Sequence, residues 1–178
     1  MTTSVSDLWD AIALGAAEES PLWGDALRPV GERELDAVFS ALAEERFALG
    51  LETIYEGYLL HYGRPRLFAP PDADTRLLLG DYLYAHGLVR ISALGSVRAV
   101  EDLGELIALC AQLRADGADG DGEVWAATAV VLGADGLAQA RAALRDDADP
   151  SALDALARAA AGGEAVDRAL AAHRRRLL

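Results

Sequence analysis

The chain has 178 residues, 52 % of them hydrophobic and only 6 % aromatic, a composition that fits one domain spanning 1–178 with a core of Leu, Ala and Val. A formal charge of −13, with every cation an arginine and no lysine, argues against a nucleic-acid surface or an anionic membrane, because both need clustered positive charge. Cys110 is the single cysteine, so no internal disulfide forms; within the apolar run "ELIALC" it reads as a buried thiol, and a reducing, cytoplasmic compartment is expected.

In chain order, Val5, Leu8, Trp9 and Ile12 predict a first helix over 4–18, opened by Ser4 and Asp7 as a capping pair. No early positive charge marks this segment as a secretory signal, and nowhere do eighteen uninterrupted apolar residues occur. Leu35, Val38, Phe39 and Leu42 start a second stripe, read as one long helix over 31–61. Further helices are predicted over 75–94 and 97–115, the latter carrying Val100, Leu103, Leu106, Ile107, Cys110 and Leu113 on one face. "RADGADGDGE", from Arg114 to Glu123, reads as a solvated loop, since its acid spacing does not match an EF-hand. The remaining helices fall over 122–133, 136–145, 150–161 and 164–176, with Asp149-Pro150 as a start signal. β-branched residues are sparse and no period-two pattern persists. The expectation is an all-α bundle of seven to eight helices, 1–115 forming the core and 122–178 an Ala-rich, weakly amphipathic C-terminal part.

Motifs of covalent or cofactor chemistry are missing: there is no Gly-x-Ser-x-Gly elbow, phosphate loop or dinucleotide fingerprint. His61, His86 and His173 fall on different predicted helices without metal-ligand spacing. The arginines of "HRRRLL" are placed to face the negative end of a helix dipole, and "RDDAD" reads as a helix end.

One stretch stands apart. In "HYGRPRLFAPPDADTRLLLGDYLYA", Gly63 and Pro65 form a turn, and Leu78, Gly80, Asp81, Tyr82 and Leu83 follow on the next helix. The pattern and its spacing resemble all-α trans-prenyl (polyprenyl) diphosphate synthases, in which an arginine-glycine-x-proline turn precedes a Leu-x-Gly-Asp-Tyr-Leu helix. The resemblance covers about Leu49 to Leu113 and implies an isoprenoid-synthase type of bundle, here shortened. In catalytic members an Asp-Asp-x-x-Asp motif ahead of the turn holds magnesium; family spacing places it on "ETIYE", where only Glu52 and Glu56 remain and Thr53 replaces the middle acid. His61 and Tyr62 stand where two arginines are expected, and the second aspartate-rich motif is missing.

What the resemblance implies is therefore a non-catalytic or regulatory subunit-like relative that binds a partner chain, a catalytic prenyl synthase or a second copy, or an isoprenoid ligand, with no cofactor. Candidate ligand-binding residues are Glu52, Glu56, His61, Arg64, Arg66 and Asp81. An alternative is a minimal magnesium-dependent prenyl-diphosphate enzyme with Glu52 and Glu56 as weak metal ligands beside Arg64 and Arg66; another is a helical scaffold with no isoprenoid role. The residues alone read Glu52 and Glu56 as the solvated face of a long helix. They read Asp81 as a helix-start carboxylate that caps backbone donors or bonds a neighbouring helix. Tyr82 and Tyr84 fall on different faces, so at most one is expected in the core.

Overall fold

The computed structural model describes residues 5–177, with side chains from Leu8 onward. Among these lie nine helices: α1 (Val5–Glu19), α2 (Pro21–Asp25), α3 (Ala48–Tyr62), α4 (Ala73–Ser92), α5 (Val97–Asp116), α6 (Asp121–Val130), α7 (Leu137–Asp147), α8 (Ser151–Ala161) and α9 (Gly163–Arg176). No strand occurs among the described residues, only isolated bridges pairing Leu27 with Phe68 and Gly63 with Leu177. The chain is an all-α helical bundle, as its periodicity predicts. The capping pair expected of Ser4 and Asp7 lies outside the described residues.

Local signals set several helix ends. Asp72 caps α4 by accepting from Thr75 N at 2.7 Å, and Ser96 caps α5 by accepting from Ala99 N at 3.2 Å. Gly117 ends α5 with a φ of 64°, a left-handed conformation that favours glycine. Ahead of α8, Asp149 accepts from Ser151 N at 2.9 Å.

The single helix expected over 31–61 is corrected. Residues 31–47 form short 3₁₀ turns at Val30–Glu32, Ser40–Leu42 and Glu45–Phe47, and the α-helix begins only at Ala48. Partners from elsewhere in the chain take up backbone groups that a helical ladder would otherwise use: Glu52 accepts from Val38 N and Ser40 N, and the carbonyls of Asp36 and Arg66 pair with Arg66 Nη1 and Glu34 N. Val38 and Phe39 still reach the core, but from an irregular segment.

α3 is the axis of the molecule. Every residue from Gly50 to Leu60 is buried, two glutamates included. On one side lies the larger core, with Phe39, Tyr55, Tyr58 and Trp125 at its centre; Leu153, Val166 and Leu170 bring the Ala-rich helices α8 and α9 into it. On the other side lies a smaller core of Trp9, Ile12, Leu60, Phe68, Leu79 and Leu83. Tyr84 packs partly buried against the first and Tyr82 against the second, so both tyrosines contribute rather than one.

α3 and α4 run antiparallel at very close range, because glycines meet where their backbones cross. A Cβ on Gly57 would lie 2.9 Å from Gly80 O, and one on Gly87 would lie 3.1 Å from Gly50 O and 2.4 Å from Ile54 Cγ1. A Cβ on Gly80 would lie 2.5 Å from the His61 ring. Gly80, part of the stretch that carries the family resemblance, thus sits where an added side chain would displace the His61 ring.

Candidate functional site

The structure gathers Glu52, Glu56 and Arg66, three of the six candidate residues, into one buried cluster, and corrects the reading of the two acids as a solvated face. Glu52 and Glu56 are 1 % and 0 % exposed, and Arg66 is 0 % exposed. The turn after α3 carries Arg66 back over the helix it has just left. There its Nη1 donates to Glu52 Oε2 at 2.6 Å and to the Asp36 carbonyl at 2.9 Å, while Nε donates to Glu56 Oε2 at 2.9 Å. The guanidinium lies between the rings of Trp9 and Tyr55, at 4.5 and 5.0 Å from their centroids.

The remaining carboxylate oxygens are also engaged. Glu56 Oε1 accepts from the amides of Arg66 and Leu67, both at 2.7 Å. Glu52 Oε1 accepts from Val38 N, Ser40 N and the Ser40 hydroxyl. Burial alone would depress the Arg66 guanidinium, but the two carboxylates and their hydrogen bonds overcome it and hold its pKa above the ordinary value. Magnesium prefers several oxygen ligands and retained waters in octahedral array. The four oxygens of Glu52 and Glu56 do not fit that demand, since each already serves a cation or an N–H or O–H donor. Among the described residues no three His, Cys, Asp or Glu side chains converge to hold a metal ion.

The other three candidates lie apart from this cluster. Arg64 is exposed, and its Nη2 donates to the Arg175 carbonyl at 3.2 Å. His61 lies at the end of α3, its Nε2 3.2 Å from Asp81 Oδ1 without the alignment of a hydrogen bond, and its ring stacks on Tyr84. Burial lowers the His61 pKa, and Asp81 opposes this only in part. Asp81 stands in the middle of α4 on its exposed face rather than at a helix start, so it caps no backbone donor, and its carboxylate approaches His61 of the neighbouring helix.

A second polar network was hidden from the sequence. Asp121, expected in a solvated loop, is buried at the first turn of α6 and receives the Tyr58 hydroxyl, Arg114 and His173 Nε2, the last at 3.2 Å. His173 Nδ1 faces the Tyr55 hydroxyl at 3.0 Å, so the ring bridges Asp121 and Tyr55. Burial works to raise the Asp121 pKa; His173, Tyr58 and Arg114 outweigh it and leave the carboxyl below its usual range. Burial pushes the Tyr55 and Tyr58 hydroxyls well up, Asp121 adding to the effect on Tyr58. Phe39, Tyr55, Tyr58, Trp125 and His173 stack and cross at centroid separations of 5.0 to 6.0 Å, filling the centre beside the glutamates. The network ties α3, α5, α6 and α9 together. Asp121 and His173 are separated by 52 positions, and no local pattern joins them.

These groups hold one another in place and offer no free nucleophile or open carboxylate to a substrate. Comparison with protein-family models, with curated proteins and with solved structures returns no match.

Proposed function

We propose that the chain is a non-catalytic, partner-binding relative of the polyprenyl diphosphate synthases, comparable to their small regulatory subunits. The observation that carries the reading is the Arg66 clamp. The two acids left at the position of the metal motif are turned into structural groups, and the cation that secures them comes from the family-like turn itself. The bundle is thereby retained while its acids are withdrawn from diphosphate chemistry.

A surface for a partner is offered by α4, where Leu77, Leu78, Ala85 and Val89 are exposed, Leu78 by 55 % and Val89 by 64 %. The adjoining α1 presents Leu14 at 60 % exposure. Leu78, Ala85 and Val89 share one side of the helix with the exposed Asp81, and an exposed apolar stripe of this kind suits burial against another protein.

The test is co-expression with a catalytically competent polyprenyl diphosphate synthase chain, followed by light scattering of the mixture and analysis of product chain length. The reading expects a stable heteromeric complex and an altered product length, both lost in a Leu78→Glu/Val89→Glu variant that retains its thermal midpoint. Magnesium-dependent binding of farnesyl diphosphate by the isolated chain, with no complex formed, would replace this reading with the enzyme one.

A further inference from the structure

A groove of about 610 Å³ runs between the irregular segment at 34–42 and α9. Its walls hold Arg64, Arg168, Arg175 and Arg176 against Glu34 and Asp36, while Val38, Leu42 and alanines of α9 form an apolar floor. An excess of cations here is unexpected in a chain of formal charge −13.

The pairing of these arginines is uneven. Arg176 is buried and salt-bridged through Nη2 to Glu34 at 3.0 Å and to Asp36 at 3.6 Å, yet its Nη1 is buried with no hydrogen-bond partner. Arg168 is held by Glu164, outside the groove. Arg64 and Arg175 have no carboxylate partner among the described residues, although the hydrogen bond from Arg64 Nη2 to the Arg175 carbonyl keeps the two residues side by side. Both side chains line the same groove, so their positive charges share one opening. The last turn of α9 and the bond from Arg64 to its carbonyl bring both arginines to this rim, and an oxyanion in the groove within reach of both would offset their charge and use their planar donor forks.

We propose that this groove binds a small amphipathic oxyanion, with a carboxylate or phosphate head held between Arg64 and Arg175 and an apolar tail on the floor beneath. The size of the groove falls within the range of about 300–1,000 Å³ common for small-molecule sites. The groove shares Asp36 and Val38 with the Glu52–Glu56–Arg66 clamp, which holds their backbone, and shares no residue with the exposed row on α4.

Isothermal titration of the full chain with octyl phosphate, octanoate and octanol, all kept below micelle concentration, tests the assignment. Saturable binding is expected for at least one of the two anions, about tenfold or more tighter than for octanol and weakening as salt rises. The stronger of the two anions identifies the head. In Arg64→Gln/Arg175→Gln, both exposed positions, affinity should fall about tenfold or more, while Arg145→Gln, which removes a charge elsewhere, should leave it within about twofold. Ala165→Leu, which fills the floor, should weaken the anions without changing the thermal midpoint of the free chain. Absence of saturable binding to either anion, or equal affinity in the double arginine variant, would overturn the proposal.

Discussion

Replacing Arg66 with methionine removes the cation and leaves Glu52 and Glu56 in an interior where neither reaches water. Breaking a buried ion pair from one side costs about 3–5 kcal/mol, because the surviving charge keeps its desolvation penalty and loses its partner. Here one guanidinium serves two carboxylates and the Asp36 carbonyl, so the upper part of that range applies. For a chain of this length each kcal/mol moves the thermal midpoint by roughly 2–4 °C, giving an expected loss of about 8–20 °C. Circular dichroism followed through thermal and urea unfolding at pH 7 measures it. The triple variant Glu52→Gln/Glu56→Gln/Arg66→Met discards the charges together and should regain at least half of the loss, which isolates the ionic part from packing. Arg66→Lys should fall between wild type and Arg66→Met, since a point charge cannot span both acids and the carbonyl as the planar fork does. A loss below about 1 kcal/mol in Arg66→Met would refute the clamp as described. The same reasoning bars Glu52→Ala or Glu56→Ala as probes of ligand binding, because either would weaken the fold first.

Three further outcomes follow from the geometry. Gly80→Ala and Gly87→Ala should each cost about 1–3 kcal/mol in urea unfolding, through clashes with His61 and Ile54, whereas Gly104→Ala on α5, with nothing within 4 Å of the added carbon, should stabilise by about 0.5–1 kcal/mol. The Asp121 carboxyl titrates below its unfolded value of 3.8 in the folded chain, so its contribution is complete above that pH and is lost as pH falls from there toward the folded value. Asp121→Asn should flatten the acid limb of the stability profile between about pH 4 and 2, and an unchanged limb would remove this carboxylate from the account. Cys110 is buried and its thiol is pushed well above the usual range, so a thiol-specific disulfide reagent at pH 8 should leave it unmodified until denaturant is added; rapid labelling of the folded chain would contradict the packing of α5.

Much of the fold was legible in the sequence, because helical periodicity survives wherever one face packs and the other is wet, as in α5. It misled over 31–47, where the apolar spacing is helical but tertiary donors and acceptors supply the backbone hydrogen bonds. The position of Glu52 and Glu56 on one helix is readable, and the sequence also carries a signal for their burial. Around them α3 runs Leu49, Gly50, Leu51, Thr53, Ile54, Tyr55, Gly57, Tyr58, Leu59 and Leu60, apolar or small on every side, and a helix apolar all round is a buried helix. The pairing of His173 with Asp121 had no such signal, since nothing local relates residues brought together only by the packing of α6 against α9. The sequence pairs the arginines of "HRRRLL" with the helix dipole, whereas Arg176 reaches back to Glu34 and Asp36.

The glycines that let α3 and α4 touch also determine where the clamp's cation arrives. Gly50 meets Gly87 and Gly57 meets Gly80, so the two pairs are separated by the same interval on both helices and define one register. Sliding α4 along α3 by a turn would set side chains against backbone at both crossings. With the two helices pinned in this way, the segment from Gly63 to Asp72 has fixed ends, and Arg66 falls over Glu52 and Glu56 only for that length of turn. An insertion or deletion between Gly57 and Gly80 would therefore force a choice between two mismatches, one steric and one electrostatic. The turn behaves as a measured spacer, with a length as constrained as the identity of any residue within it.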